Sequence, residues 1–316
     1  MKTVPLGKTG EQVSALCLGA MFLGTHQDEP TSFRLLDQYV DAGGTFIDTA
    51  NIYAGWVPGF AGGESETVIG RWMKARGSRD KLFLATKVGF DYGDVPRGLS
   101  ARLIEEECDK SLTRLGVDHI DLYYAHVDDR QTPLHETLAA FDRLVQAGKV
   151  RLVGASNFLA YRLERAHTLA KLHDWAQFCC LQQRYTYLQP RHGKKVTQAQ
   201  EYVSEELLDY VRRRKNDFTL LAYSALLGGA YTRTDRSIPD VYDTPDNGAR
   251  LETLRRVAQE AQCTPNQVVL AWMMQSDPPV LPLIAASTPD QMQENLGALN
   301  VRLSDNQMRW LNTASA

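Results

Sequence analysis

Four titratable residues stand at or just beyond the ends of short apolar runs. Asp48 closes "TFID", Tyr53 follows in the loop "TANIYAG", Lys87 lies in "LATKV" and His126 ends "LYYAH". A free tyrosine has a pKa of about 10, which makes it a poor proton shuttle near neutral pH. A lysine ammonium nearby favours the phenolate, and a carboxylate partner keeps that lysine charged and oriented. A histidine can orient a substrate oxygen or share the proton. Together the four describe a tyrosine general acid, tuned toward neutrality and aimed at a carbonyl oxygen. They include no nucleophile and lack metal-ligand spacing, so the reductant must be a cofactor.

Each residue also has a plainer reading. Asp48 would cap a loop, Tyr53 would cover a rim, Lys87 would be solvated and His126 would be a satisfied core histidine. Their joint arrival at three consecutive strand ends favours the chemical reading.

Such a set works only if the fold brings those ends together. Short apolar runs at 14–19, 45–49, 82–88, 120–126, 151–156, 178–183, 219–224 and 280–286 read as strands. Amphipathic patterns at 31–42, 66–75, 101–115, 133–147, 160–172 and 204–214, and a two-part stretch at 249–274, read as helices. Parallel strands need crossover helices, and no Pro/Ser-rich linker divides the chain. The expectation is an α/β fold, a closed (β/α)8 TIM barrel forming a single domain over 1–316. A doubly wound sheet is the structural alternative, but "LCLGAMFLGT" lacks its GxGxxG turn. The runs finish as "FIDTA", "LATKV", "LYYAH", "VGASN", "LQQRY", "LAYSA" and "LIAAS". Polar residues at so many C-terminal edges describe one rim, where barrel active sites lie.

Composition narrows the remaining classes. An apolar content of 43% suits a sizeable core, and a formal charge of −3 gives no case for a nucleic-acid or membrane partner. The five cysteines are Cys17, Cys108, Cys179, Cys180 and Cys263; none forms a CxxC pair, so they read as buried thiols of a reducing compartment. "VSALCLGAMFLG" is interrupted by glycine and makes a poor signal segment, so a cytoplasmic location is expected. Composition leaves open whether the chain is a monomer or a homo-oligomer.

The pieces "VPLGKTGEQVSALCLG", "FIDTANIY", "GGESETVIGRW", "ATKVG", "AGKVRLVGASNF", "LAYSALLGG" and "PDQMQENLGAL" closely resemble the aldo-keto reductases, and they span essentially the whole chain. The resemblance implies a barrel closed at its base by an N-terminal β-hairpin, with a C-terminal helical extension. It implies nicotinamide-dependent carbonyl reduction by an Asp/Tyr/Lys/His tetrad, carried here by Asp48, Tyr53, Lys87 and His126. By position, Ser156, Asn157 and Gln182 would hold the nicotinamide carboxamide, and Tyr223 would stack on its ring. Ser224, Ala225, Leu226 and Gly228 would approach the pyrophosphate, and Asn295 the adenine.

One departure concerns the loop "AASTPDQMQEN", where NADPH-preferring members commonly carry a cation. Ser287, Thr288 and Gln291 stand there instead, so both NADP(H) and NAD(H) are expected to serve. Trp56, Phe60 and Phe90 are candidates for the substrate wall, and Arg191 for a substrate contact. The longer loop carrying Arg191, His192, Lys194 and Lys195 reads either as a solvated loop or as a basic lid over a polyhydroxylated or anionic substrate. Asp128 and Asp129 read as a loop turn and helix cap rather than as metal ligands. The substrate would be a small carbonyl compound or alcohol, sugar-like ones included. The alternatives are a polyol dehydrogenase acting oxidatively and a cofactor-binding subunit of the potassium-channel β type.

Overall fold

The computed structural model describes residues 1–214 and 216–314. A hairpin of β1 (Thr3–Pro5) and β2 (Gln12–Ser14) comes first. Eight parallel strands follow: β3 (Cys17–Gly19), β4 (Phe46–Asp48), β5 (Phe83–Val88), β6 (Ile120–Ala125), β7 (Val150–Ser156), β8 (Phe178–Arg184), β9 (Thr219–Tyr223) and β10 (Val280–Ile284). They close into a barrel in the order β10-β3-β4-β5-β6-β7-β8-β9. The helices are α1 (Glu29–Asp41), α2 (Glu64–Arg76), α3 (Ala101–Leu115), α4 (Leu134–Gln146), α5 (Ala160–Leu172), α6 (Glu205–Arg213), α7 (Pro245–Glu260), α8 (Pro265–Gln275), α9 (Pro289–Gly297) and α10 (Asp305–Thr313).

The two-residue period of a strand sorts side chains between the interior and the helices. Phe46, Phe83, Ala85, Leu122, Tyr124, Cys180 and Leu221 form an apolar interior with Leu6 and Val13 of the hairpin region. Ile47, Leu84, Val88, Tyr123, Val153, Leu181 and Leu220 belong to the larger cluster shared with the helices. Ascending the inward positions, Phe46 leads to Asp48, Ala85 to Lys87, Tyr124 to His126, and Cys180 to Gln182. The floor is therefore apolar and the mouth polar. The hairpin covers the other end: a Cβ on Gly7 would sit 2.7 Å from the Asp217 carbonyl oxygen, so only glycine allows that approach.

The helices begin where their sequences provide caps. Thr264 with Gln267, and Ser304 with Gln307, form capping boxes that start α8 and α10. Thr264 and Pro265 therefore divide the expected stretch at 249–274 into α7 and α8. One expectation is corrected. The strand at 14–19 is shorter, because Ser14 belongs to the hairpin and only Cys17–Gly19 enter the barrel. The Ser14 hydroxyl accepts from the amides of Thr45 and Phe46 at 3.2 and 3.1 Å and lies 3.0 Å from the Leu16 carbonyl, which turns the chain between the two strands.

Tyr39 of α1 anchors that corner. Its hydroxyl lies 2.7 Å from Leu16 O, 2.8 Å from Phe46 O and 2.8 Å from Ser14 Oγ. Removing it strands buried acceptors, so Tyr39→Phe is expected to cost about 1–3 kcal/mol of stability. Urea unfolding should show that loss while turnover stays unchanged; an unmoved midpoint would remove Tyr39 from this role.

Candidate active site

Asp48 ends β4, Lys87 lies near the end of β5 and His126 follows β6, so the barrel itself sets their spacing. Asp48 and Lys87 have no solvent exposure, and His126 is buried. The Lys87 ammonium donates to the Asp48 carboxylate, to Thr49 O at 2.7 Å and to Tyr53 Oη at 2.8 Å. Gln182 Nε2 donates to the second Asp48 oxygen at 2.8 Å. The His126 ring stands edge-on to Tyr53, with centroids 6.1 Å apart.

These contacts dispose of the plainer readings. Lys87 is not solvated, and both Asp48 oxygens serve Lys87 and Gln182 rather than a loop cap. Among the described residues, buried His126 Nδ1 has no hydrogen-bond partner, so this is not a satisfied core histidine.

The electrostatics follow from burial and one ion pair. Burial opposes the Lys87 charge, but Asp48 and Tyr53 overcome it and hold the ammonium above the ordinary lysine range. Burial, and then the Lys87 charge, push His126 well below its ordinary range, so its imidazole is neutral near neutral pH. For Tyr53 the expected tuning toward neutrality is corrected: burial raises the phenol above its ordinary value, and Lys87 only partly pulls it back. The phenol is thus a protonated group with a cation against its oxygen.

The carboxamide-site candidates gather around the same four residues. Ser156 pairs with Gln182 across β7 and β8. Asn157, at a φ of 60°, donates to His126 O at 2.9 Å, and its amide oxygen accepts from Tyr223 Oη at 2.8 Å and from Glu201 N at 3.2 Å. Beyond Tyr223 the chain turns sharply, with left-handed φ at Ser224 (56°), Leu227 (52°), Gly228 (71°) and Gly229 (89°). Ala225 and Leu226 lie within this turn, and Thr186 Oγ1 donates to Ala225 O at 2.6 Å.

Ser287 and Thr288, before α9, form a separate cluster with Gln291 and Asn295 of α9. Thr288 caps α9, Ser287 N donates to Gln291 Oε1 at 2.7 Å, and Asn295 Nδ2 donates to Ala285 O at 3.0 Å. Among the described residues, none of these four hydrogen bonds to Asp48, Tyr53, Lys87 or His126.

The substrate candidates divide. Trp56 stands edge-on to Tyr53 at 6.3 Å, and Phe90 edge-on to His126 at 4.7 Å. Phe60 is exposed and has no ring contact with the tetrad among the described residues. Arg191 turns to the segment before α7, donating to Asp243 O at 2.6 Å. In its loop Lys195 pairs with Glu201 at 2.5 Å, while His192 and Lys194 are exposed.

Asp129 organises a turn by accepting from Leu99 N and Gln131 N, each at 2.9 Å, and Asp128 pairs with Arg162 at 2.8 Å. The expected aspartate cap of the next helix is corrected: Pro133 occupies the cap position of α4, without a side-chain cap. Among the described residues no group of histidine, cysteine and carboxylate side chains could hold a metal.

Phe22 and His26 extend the aromatic wall, although no sequence motif marks them. Their rings stack at 4.5 Å, and Phe22 meets Trp56 edge-on at 6.4 Å. They lie in the loop after β3, where the strand-end argument, applied to the first barrel strand, would find them.

The donor set fits a nicotinamide cofactor. The mouth offers a proton donor, an unpartnered buried imidazole nitrogen and amide groups. It offers no side chain able to deliver a hydride, and Cys17, beside Asp48, is a buried thiol whose pKa burial raises further.

The model of the aldo/keto reductase family matches residues 15–316. The chain is 35% identical to the uncharacterized oxidoreductase YrpG of Bacillus subtilis, covering 99% of this chain and 95% of that one. It is 29% identical to norsolorinic acid reductase stcV of Emericella nidulans, over 95% of this chain and 77% of that protein. It is 30% identical to the aldo-keto reductase yakc [NADP(+)] of Schizosaccharomyces pombe, over 96% and 89% of the two chains. No helix among the described residues is long and apolar enough to cross a membrane.

Proposed function

The chain belongs to the aldo/keto reductase family, and on that premise we propose that it is an NAD(P)H-dependent reductase of aldehydes or ketones, acting as a single domain. The observation that carries this reading is the Lys87 ammonium, which contacts both the Asp48 carboxylate and the Tyr53 hydroxyl. A reduced nicotinamide held at this mouth would supply the hydride for the carbonyl carbon. Tyr53 gives its proton to the carbonyl oxygen as negative charge grows there, and Lys87 stabilises the phenolate left behind. Asp48, fixed by Gln182, keeps Lys87 charged and aimed. Neutral His126 orients the carbonyl oxygen.

Ser156, Asn157, Gln182 and Tyr223 are the residues proposed to hold the nicotinamide end. Phe22 meets Trp56 edge-on, and Trp56 and Phe90 meet Tyr53 and His126 edge-on, so apolar rings border the mouth and suit an aryl carbonyl better than a sugar. A relative named for reduction of norsolorinic acid supports the reductive direction. The intact Asp48–Lys87–Tyr53 contact favours turnover over a purely regulatory role. The test is to follow cofactor absorbance with NADH and NADPH against panels of aryl aldehydes, aliphatic ketones, sugars and polyols. Carbonyl-dependent oxidation led by aryl aldehydes is expected; oxidation of polyols alone would establish the competing reading.

Cofactor choice yields a sharper expectation. The loop before α9 offers hydroxyls and amides but no cation, so NADPH and NADH should differ in kcat/KM by no more than about 30-fold. Thr288→Arg should shift the preference toward NADPH by about 5- to 30-fold, or roughly 1–2 kcal/mol. Because Thr288 caps α9, the same change should cost about 1 kcal/mol of stability. A thousandfold native preference for NADPH, with no gain from the arginine, would contradict this role for the loop.

A further inference from the structure

Arg184 is a buried cation that lacks an anion. It is the last residue of β8 and pairs in register with Tyr223 of β9. Strand alternation puts it on the same inward face as Gln182, one step nearer the mouth. Its exposure is 7%, yet its partners are all neutral: Gln200 Oε1 at 3.0 Å, Ser224 Oγ at 3.2 Å and Tyr242 Oη at 3.3 Å. Nη2 makes no hydrogen bond among the described residues, and no described carboxylate lies within ion-pair distance of the guanidinium. Buried Arg162 makes the contrast, since it faces Asp128.

A guanidinium removed from water without a counter-charge is costly, and its planar fork is shaped for carboxylate or phosphate oxygens. The neighbouring backbone is a tight turn tied to the guanidinium through Ser224. Ser224, bonded to Arg184, opens the turn whose left-handed residues Leu227, Gly228 and Gly229 follow in close succession. Within that turn the Leu227 amide donates to Ser224 O at 3.1 Å and the Gly229 amide to Leu226 O at 2.8 Å, which fixes its shape beside the guanidinium.

We propose that Arg184 is the cation of a diphosphate subsite, binding the bridge of the nicotinamide dinucleotide together with the 224–229 turn. The assignment rests on the cofactor reading above and gives that reading a charge which the loop before α9 does not supply. NADH and NADPH share the diphosphate, so Arg184 strengthens both equally, and this is compatible with dual use. Gln200 and Tyr242 hold the side chain in place through Nη1 and Nε.

The test is equilibrium binding of NADH, NADPH and ADP-ribose to the parent protein and to Arg184→Gln, Arg184→Lys and Gln200→Ala, with thermal melting measured in parallel. ADP-ribose carries the diphosphate without the nicotinamide, so its binding is independent of turnover. Arg184→Gln is expected to raise Kd at least about tenfold for all three ligands, with Arg184→Lys recovering part of the loss. Gln200→Ala should have a smaller effect. Unchanged affinities in a folded Arg184→Gln protein overturn the proposal while leaving the reductase reading intact. A loss confined to NADPH would place Arg184 at the 2′-phosphate, and unchanged Kd values with a raised KM for anionic substrates would place it at the substrate; either result also overturns it. If Arg184→Gln fails to fold, Arg184→Lys decides: a smaller loss common to all three ligands supports the proposal, and unchanged affinities overturn it. If the parent protein binds none of the three, the cofactor reading itself fails.

Discussion

A Tyr53→Phe protein is expected to bind reduced cofactor as the parent does and to lose at least about 100-fold in kcat for carbonyl reduction. The substitution removes one oxygen. It leaves the ring that meets Trp56 and His126 edge-on, and it leaves Lys87 with Asp48 and Thr49 O as partners. Binding and chemistry should therefore separate cleanly. A folded variant with near-parental turnover would end the claim that this phenol donates the proton.

Lys87→Met should be equally damaging to turnover, and it should also reveal why Asp48 is present. With Lys87 gone, a fully buried carboxylate keeps only Gln182 as a partner. Breaking such a pair costs about 3–5 kcal/mol. Adding Asp48→Asn removes the stranded charge, so the double variant should recover much of the stability and none of the activity. The pH profile supplies an independent readout. Reduction needs protonated Tyr53 and is lost as pH rises through its pKa, whereas alcohol oxidation needs the phenolate and grows over the same interval. Lys87 pulls that pKa down against burial, so removing it should move the alkaline limb of the oxidation profile to higher pH. A stable single variant with an unmoved limb would show that Lys87 neither pairs with Asp48 nor tunes Tyr53.

The barrel and its polar mouth are legible in the sequence because strand periodicity and strand ends are local signals. Asp48, Lys87 and His126 each sit where an apolar run stops, and the structure places each on the inward face. Ser14 looks like part of the first barrel strand, because its hydroxyl serves Tyr39, Thr45 and Phe46, which no local pattern displays. The direction of the Tyr53 shift is hidden for a related reason: the sequence shows a lysine and a carboxylate but not the depth of burial that outweighs the lysine. Phe22 and His26 follow a strand end like the others, yet an aromatic and a histidine in a glycine-flanked loop carry no motif of their own. Arg184 stands in "LQQRY", two residues beyond Gln182. That it lacks a carboxylate partner among the described residues is visible only in the fold.

The central claim is that a carbonyl group receives hydride from bound cofactor and a proton from Tyr53. The most direct measurement is product labelling with cofactor deuterated at the transferring C4 position, using an aryl aldehyde in ordinary water and analysing the alcohol by mass and NMR. One deuterium on the carbinol carbon per cofactor oxidised is predicted, with loss of that product in Tyr53→Phe. Alcohol without the label, or cofactor oxidation without alcohol, would contradict the claim.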